Sequence, residues 1–74
     1  MRIEVSSENR KWIRADLVDS GSRVMNLYSK SIHPNETLMG AYMDAASYVK
    51  FNWPQYAKLT IVTDLGTQDG PSGV

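Results

Sequence analysis

The chain contains no cysteine among its 74 residues. Small secreted domains usually depend on disulfides, so this absence favours a reducing compartment, and we expect a cytoplasmic protein. A paired-cysteine metal motif is excluded, and the chain has neither a Gly-rich phosphate loop nor a nucleophile elbow. Because these strong signatures of catalysis are missing, we expect neither enzymatic activity nor a cofactor.

Long apolar runs and net charge are missing as well. No stretch approaches the roughly 20 apolar residues that a membrane span requires, and residues 1–5 lack the apolar run of a signal peptide. Eight basic and eight acidic side chains give a formal net charge of zero. The long-range field that draws proteins to nucleic acids or anionic lipids is therefore absent, which disfavours both as partners.

A chain of 74 residues should form one domain. A unit of this size buries only about 60% of the surface that its unfolded chain exposes, which leaves no room for a second core. We place the domain at residues 1–65 and expect residues 66–74, which are poor in apolar side chains, to form a flexible tail. Without a disulfide or a structural metal, partner binding or self-association is the ordinary remaining source of stability.

Two segments alternate polar and apolar residues with the period of a half-buried strand, residues 2–6 and residues 12–18. Ser7 to Arg10 read as the turn between them. The second strand sorts its side chains into two faces, with Ile13, Ala15 and Leu17 on one and Trp12, Arg14 and Asp16 on the other. One face of the sheet is thus predicted to be apolar and the other polar.

A hairpin loop follows at Asp19-Ser20-Gly21, where glycine accommodates a left-handed backbone. With three residues in the loop, the polar face pairs Trp12 with Tyr28 and Arg14 with Asn26. A two-residue loop would set Arg14 against an apolar residue and mix the two kinds of side chain on both faces. We therefore predict the three-residue loop, because it keeps the faces separate.

One helix is predicted after His33-Pro34, with Asn35 as its N-cap and an end near Asn52, since residues before Pro54 avoid helical geometry. Its apolar stripe comprises Leu38, Ala41, Tyr42, Ala45 and Val49, widened on one flank by Met39, Met43 and Ala46. Asp44, Ser47 and Lys50 fall on the opposite side. The stripe is expected to pack on the apolar face of the sheet.

Residues 59–65 predict the last strand, because they are rich in β-branched side chains, and we expect this strand beside the first. The element order β-β-β-α-β gives an α+β fold in which one helix packs on one face of an antiparallel or mixed four-stranded sheet. Since one helix covers one face, the other stays open. This open face is the candidate binding surface.

The open face is predicted to present aromatic and charged side chains together: Trp12, Arg14, Asp16, Tyr28 and Lys30. A cross-strand Trp–Tyr pair stabilises a hairpin by about 0.2 to 1 kcal/mol, which is one interpretation of this set. Exposed Trp, Tyr and Arg are also the residue types enriched at binding hot spots, which is the other. The two interpretations do not exclude each other, and we assign the set to partner binding.

For the other candidate residues, we expect ordinary structural roles rather than metal binding or catalysis. Asp16, Asp19 and Asp64 carry the oxygen ligands that a divalent ion takes, but the predicted register separates them, so we expect no metal site. His33 precedes a proline in a connection and is better explained as a solvated histidine than as a catalytic base. Most members of a further aromatic set are expected to cap the open end of the core rather than form an exposed patch: Phe51, Trp53 and Tyr56.

The element order resembles the first half of the ribonuclease H fold. Residues 35–41, Asn-Glu-Thr-Leu-Met-Gly-Ala, are similar to the start of that family's first helix, and residues 59–64 to the strand that carries one of its metal-binding aspartates. The resemblance implies binding of nucleic acid or a divalent ion. However, Ser6-Ser7 stand where the family has an aspartate and Leu38 where it has a glutamate. Asp64 alone cannot assemble a two-metal nuclease.

A second resemblance is to small phage-encoded host-takeover proteins, among them the RNA-polymerase inhibitor of short-tailed coliphages and some anti-CRISPR proteins. It is carried by Trp12 with Ala15 beyond it, a Ser/Gly hairpin, Tyr28 on the return strand, one helix and a closing strand. The resemblance implies an inhibitor that occupies the surface of a host enzyme or complex. We therefore expect a non-enzymatic protein-binding module, with a diverged ribonuclease-H-like domain and a homo-oligomeric structural subunit, such as a homodimer, as alternatives.

Overall fold

The computed structural model describes residues 1–64. The elements, in chain order, are β1 (Arg2–Glu8), β2 (Trp12–Asp19), β3 (Ser22–Ser31), α1 (Leu38–Asn52), a 3₁₀ turn (Pro54–Tyr56) and β4 (Ile61–Thr63). The strands of this part of the chain form one sheet in the order β3-β2-β1-β4, in which β4 runs parallel to β1 and the other neighbours are antiparallel. The predicted α+β fold and the position of the last strand beside the first are confirmed.

The core lies between α1 and one face of the sheet. Its buried members are Ile3, Val5, Ile13, Ala15, Leu17, Leu27, Ala41, Tyr42, Ala45 and Val49. Burying one large aliphatic side chain stabilises a fold by about 1.5 to 3 kcal/mol, so this cluster is the main source of stability. The predicted helical stripe is confirmed, with Leu38 partly buried at its start.

The start and one flank of α1 differ from the prediction. The N-cap is Thr37 rather than Asn35, since the Thr37 hydroxyl oxygen accepts a hydrogen bond of 3.0 Å from the Gly40 N–H and satisfies a donor of the first turn. Met39 and Met43 are 55% and 63% exposed, so they do not widen the buried stripe. Ala46, the third residue of that flank, is partly buried.

The loop between β2 and β3 has two residues, Ser20 and Gly21, so the predicted three-residue loop is wrong. Their φ angles are 54° and 81°, and Asp19 pairs directly with Ser22. Consecutive residues with positive φ are typical of the type I′ hairpin turn, whose twist matches that of the flanking strands. This loop shifts the register of β3 from the predicted one.

Two irregularities in β3 keep apolar residues on the core side in spite of that shift. The β2–β3 pairing is interrupted between Ala15 and Asp16 and again between Leu17 and Val18, with one extra β3 residue at each point. Such β-bulges let a strand change which side chains face the core. Beyond both bulges Ala15 pairs with Tyr28, and the one-residue shift that begins at the loop leaves Tyr28 on the helix-covered face.

The last strand is shorter than the predicted 59–65. Leu59 packs against the core before β4 begins, and the Thr60 carbonyl oxygen accepts a hydrogen bond of 2.9 Å from the Ile3 N–H. The predicted tail, residues 66–74, lies outside the described residues. Within residues 1–64, no helix has the length and apolarity needed to cross a membrane.

Candidate binding surface

The open face is the side of the sheet opposite α1. Strand alternation and the observed pairing place these side chains on it: Arg2, Glu4, Ser6, Glu8, Trp12, Arg14, Asp16, Val18, Arg23, Asn26, Ser29, Ser31 and Val62. The set combines three arginines and three carboxylates with Trp12, Val18 and Val62 as apolar members. Nothing in the described part of the chain packs a second layer of secondary structure against this face.

Asp16 is buried on this uncovered face, with only 3% of its surface exposed. Both of its carboxylate oxygens bind the Arg14 guanidinium, which donates from Nε over 2.9 Å and from Nη2 over 3.1 Å. The Nε atom of Arg23 lies 3.8 Å from Asp16 Oδ2 on the other side. Two-pronged arginine–carboxylate pairs are strong and fix geometry, and the bond to Asp16 raises the pKa of Arg14.

The Asn26 side chain completes the arrangement around Asp16. It also supplies hydrogen bonds to backbone carbonyl groups at the bulge between Ala15 and Asp16. Its side-chain amide donates to Asp16 Oδ1 over 3.1 Å, and also to the carbonyl oxygens of Ala15 at 3.3 Å and Tyr28 at 3.1 Å. Those carbonyl groups flank the irregular pairing, so the amide serves acceptors of the interrupted ladder. Arg14, Asp16, Arg23 and Asn26 are called the arginine–aspartate cluster below.

Trp12 stands beside this cluster, 52% exposed and paired across the sheet with Glu8 and Ser31. The predicted contact with Tyr28 is wrong, because the Tyr28 ring lies 4.5 Å from that of Tyr48 on α1. An exposed indole next to fixed charges is a feature of binding surfaces rather than of a hairpin aromatic pair.

The five side chains predicted for the site therefore divide between two faces. Trp12, Arg14 and Asp16 lie together on the open face. Tyr28 and Lys30 lie on the helix-covered side, where Lys30 Nζ is 3.4 Å from Glu36 Oε2. The physical reason is the two-residue loop, which shifts β3 by one residue and so reverses its faces. The two bulges together add two residues and leave Tyr28 and Lys30 on the reversed face.

Arg23 and Asn26 are the members of the cluster that the sequence-based site did not include. The sequence contains a signal for Asn26. Asparagine is depleted in regular strands, so its presence in the middle of a strand indicates a bulge. Arg23 offered none, since an arginine near a hairpin is ordinary. Its role depends on the two-residue loop, which brings it opposite Val18.

The carboxylates considered for a metal ion lie apart. Asp16 is held by arginines, Asp19 Oδ1 is 3.8 Å from the N-terminal amino group, and Asp64 accepts a hydrogen bond from the Tyr42 hydroxyl. No group of three or more His, Cys, Asp or Glu side chains within residues 1–64 is placed to bind a metal. The Tyr42 hydroxyl also interacts with Ser7. The pKa of Tyr42 is raised, and burial of its side chain is the largest cause.

The aromatic residues around the end of α1 divide in a similar way. Trp53 and Tyr56 stack with ring centres 6.1 Å apart and pack against the core, as predicted. The Trp53 Nε1–H also donates to the Leu27 carbonyl oxygen over 3.1 Å, which anchors the end of α1 to β3. Phe51 is 86% exposed and is the member of this set that does not cap the core.

The relationship of this chain to known proteins adds no functional assignment. No family model, no curated protein and no solved structure matches it. Function must therefore be inferred from the open face and from the other surfaces that residues 1–64 present.

Proposed function

We propose that the chain is a non-enzymatic module that binds another protein through its open face. The observation that carries this proposal is Asp16, a carboxylate 3% exposed on a side of the sheet without a second layer. Surface ion pairs contribute little to stability, and burying charge has a desolvation cost. A fixed, two-arginine arrangement in this position is better suited to recognition than to stability.

The charge distribution of the cluster supports a partner with an acidic surface. The arginine–aspartate cluster contains two guanidinium groups and one carboxylate, so it carries an excess of positive charge. The Arg23 side chain is 64% exposed and approaches Asp16 only to 3.8 Å, which leaves most of its donors available. The complementary surface is that of a protein with acidic side chains around an apolar pocket that accepts the Trp12 indole.

The resemblance to phage host-takeover proteins supports one kind of partner within this class. Such proteins inhibit a host enzyme or complex by occupying part of its surface, and a small chain with one open sheet face is suited to that task. The proposal therefore extends to an inhibitor that works in the cytoplasm by steric occupation. Arginine and tryptophan anchors would supply the affinity, and the surrounding charges the orientation.

The test combines partner capture with variants of matched exposure. Tagged wild type, Trp12→Ala, Arg23→Glu and Phe51→Ala are used to recover proteins from lysate, and any specific partner is then purified and titrated by calorimetry. Phe51 is a suitable control because it is 86% exposed but lies on α1. We expect Trp12→Ala and Arg23→Glu each to weaken binding at least tenfold and Phe51→Ala to leave it unchanged.

Equal affinity of the wild type and Trp12→Ala for the same purified partner would remove the open face from the proposal. The order of the effects is also informative. If Phe51→Ala weakened binding and Trp12→Ala did not, the binding interface would lie on α1 instead.

The alternative of a diverged ribonuclease-H-like domain has one observation in its favour, which is the position of Asp64 beside Tyr42 and directly after the strand that pairs with β1. A magnesium titration followed by NMR decides it. Shifts at Asp64 and Ser7 would support ion binding, and their absence, together with no binding to single-stranded or duplex nucleic acid, would contradict it. For the homo-oligomeric alternative, sedimentation at several concentrations is the direct measurement, and a persistent monomer would contradict that alternative.

A further inference from the structure

A second surface lies at one end of the sheet, between the β1–β2 turn and the connection from β3 to α1. It is a cleft of about 340 Å³. Arg10, Lys11 and His33 form its polar wall, and Ile32, Pro34 and Leu38 its apolar wall. The Ile32 N–H donates a hydrogen bond of 2.8 Å to the Lys11 carbonyl oxygen, so backbone joins the two sides. The cleft is thus held in shape from both walls.

The charged residues that line this cleft differ in whether they have a partner of opposite charge among the described residues. Glu36 is the carboxylate in the lining, and it is engaged by the His33 N–H at 3.0 Å and by Lys30 Nζ at 3.4 Å. The hydrogen bond from the His33 backbone lowers the pKa of Glu36. The ion pairs formed within residues 1–64 include neither Arg10 nor Lys11. Two exposed cationic residues, Arg10 and Lys11, therefore line the cleft without an ion pair among the described residues.

The backbone at Arg10 provides a second, independent observation. Asn9 and Arg10 have φ angles of 53° and 60°, and the Lys11 N–H donates to the Glu8 carbonyl oxygen over 2.9 Å. Successive residues with positive φ form a type I′ turn, whose second central position is normally glycine. Placing arginine there costs about 1 to 2 kcal/mol. Such strain in a small domain is accounted for if the guanidinium has a function.

We propose that this cleft binds a phosphomonoester that carries an apolar or aromatic group. A guanidinium and an ammonium group are the ordinary protein ligands of phosphate, the former through two parallel hydrogen bonds. The apolar wall formed by Ile32, Pro34 and Leu38 would contact the organic part. The volume of about 340 Å³ lies at the lower end of the range for small-molecule sites, which suits a compact ligand.

The experiment is an NMR titration of the full chain with phenyl phosphate, with inorganic phosphate and phenol as the separate halves of that probe. We expect saturable shifts at the Arg10, Lys11 and Ile32 amides with phenyl phosphate. Binding of either half alone should be at least fivefold weaker. Raising the salt concentration should weaken phenyl phosphate binding, because the phosphate contact is electrostatic.

The substitution Arg10→Gly distinguishes an effect on ligand binding from an effect on fold stability. It relieves the strained backbone, so the melting temperature should rise, but it removes the guanidinium, so phenyl phosphate affinity should fall at least tenfold. Ser20→Gly is the matched control, because Ser20 has a φ of 54° in the other hairpin turn. It should raise the melting temperature and leave the affinity unchanged.

Three results would overturn the assignment. Wild-type affinity in Arg10→Gly would show that the guanidinium takes no part. Equal affinity for inorganic phosphate and phenyl phosphate would show that the apolar wall is not used. A titration that moves no cleft amide would show that the site does not bind this class of ligand.

Discussion

The two faces of the sheet bury similar residues by different means. Val5 and Val18 are 1% and 2% exposed, yet Val5 lies under α1 and Val18 lies on the open face. The cross-strand partners of Val18 are Arg2 and Arg23, whose long aliphatic stems are suited to covering an apolar neighbour. The comparison indicates that a small sheet can exclude water from one face with a helix and from parts of the other with charged side chains.

The largest effect should come from the helix-covered face. Leu17→Ala removes a side chain that is 2% exposed in the core, and we expect a loss of about 3 kcal/mol in the free energy of unfolding. Urea denaturation measures it. Val62→Ala is the control, because Val62 is 37% exposed on the open side of β4 and should cost below about 1 kcal/mol. Equal losses would contradict the assignment of the core to one face.

The next effect tests the cluster on the open face. Asp16→Ala leaves Arg14 and Asn26 without their shared acceptor, and we expect a loss of about 1 to 2 kcal/mol. The loss is below that for a fully buried pair because the Arg14 side chain is 27% exposed and can turn to water. Glu4→Ala should cost below about 0.5 kcal/mol, since the Arg2–Glu4 pair is exposed on both sides. Similar losses in denaturant titrations would show that Asp16 behaves as a surface carboxylate.

The sharpest comparison of the two faces uses one substitution at both valines. Threonine has nearly the shape of valine but adds a hydroxyl group that must find a hydrogen-bond partner. Under α1, Val5→Thr should cost about 1.5 kcal/mol. Val18→Thr should cost about 0.5 kcal/mol, because polar groups and water are close on the open face. A larger loss at Val18 than at Val5 would mean that the open face is the drier of the two.

The last of the four main effects on the helix-covered and open faces concerns the Tyr42 phenol, which lies on the helix-covered face. Tyr42→Phe removes the hydroxyl that binds Asp64, and we expect a loss of about 1 kcal/mol at pH 7. Burial raises the pKa of Tyr42, so the folded state favours the neutral phenol. This contribution is complete below the ordinary tyrosine pKa of about 10 and is lost as the pH rises through the folded-state pKa. The difference between wild type and Tyr42→Phe should therefore shrink above pH 10.

Tyr48→Phe is the control for that pH series. Tyr48 is 41% exposed, and its hydroxyl makes no hydrogen bond within residues 1–64. Its stability profile should follow that of the wild type at every pH. A Tyr42→Phe profile parallel to that of the wild type would contradict the role assigned to the phenol.

The fold could be predicted from periodicity because the strongest patterns were regular. The alternation of Ile13, Ala15 and Leu17 and the helical spacing of Ala41 and Val49 each require one apolar face, and both faces are buried as predicted. The element order then followed from the turns between them. Hydrophobic periodicity specifies which face of an element is inside, provided that the element is regular.

The site was harder to predict because it depends on the irregular strand. The two-residue loop moves β3 by one residue relative to the predicted register, which reverses its faces. The two bulges add two residues together and so leave that reversal in place beyond them, which puts Tyr28 and Lys30 on the side opposite to the predicted one. The strand β2 alternates regularly, so the predicted position of Trp12, Arg14 and Asp16 on the open face is correct. The burial of Asp16 could not be predicted, because it needs Arg23 and Asn26 from across the bulges.

The parallel pairing of β4 with β1 bears on the order in which the chain folds. The strands β1, β2 and β3 are joined by tight turns, so their contacts are local and form on the microsecond timescale of hairpins. By contrast, β4 reaches β1 only after α1 has crossed the sheet, and closing that large loop delays its contacts. The hairpins are therefore expected to form first and β4 to dock last. On partial unfolding, the amides of β4 should exchange with solvent before those of β2.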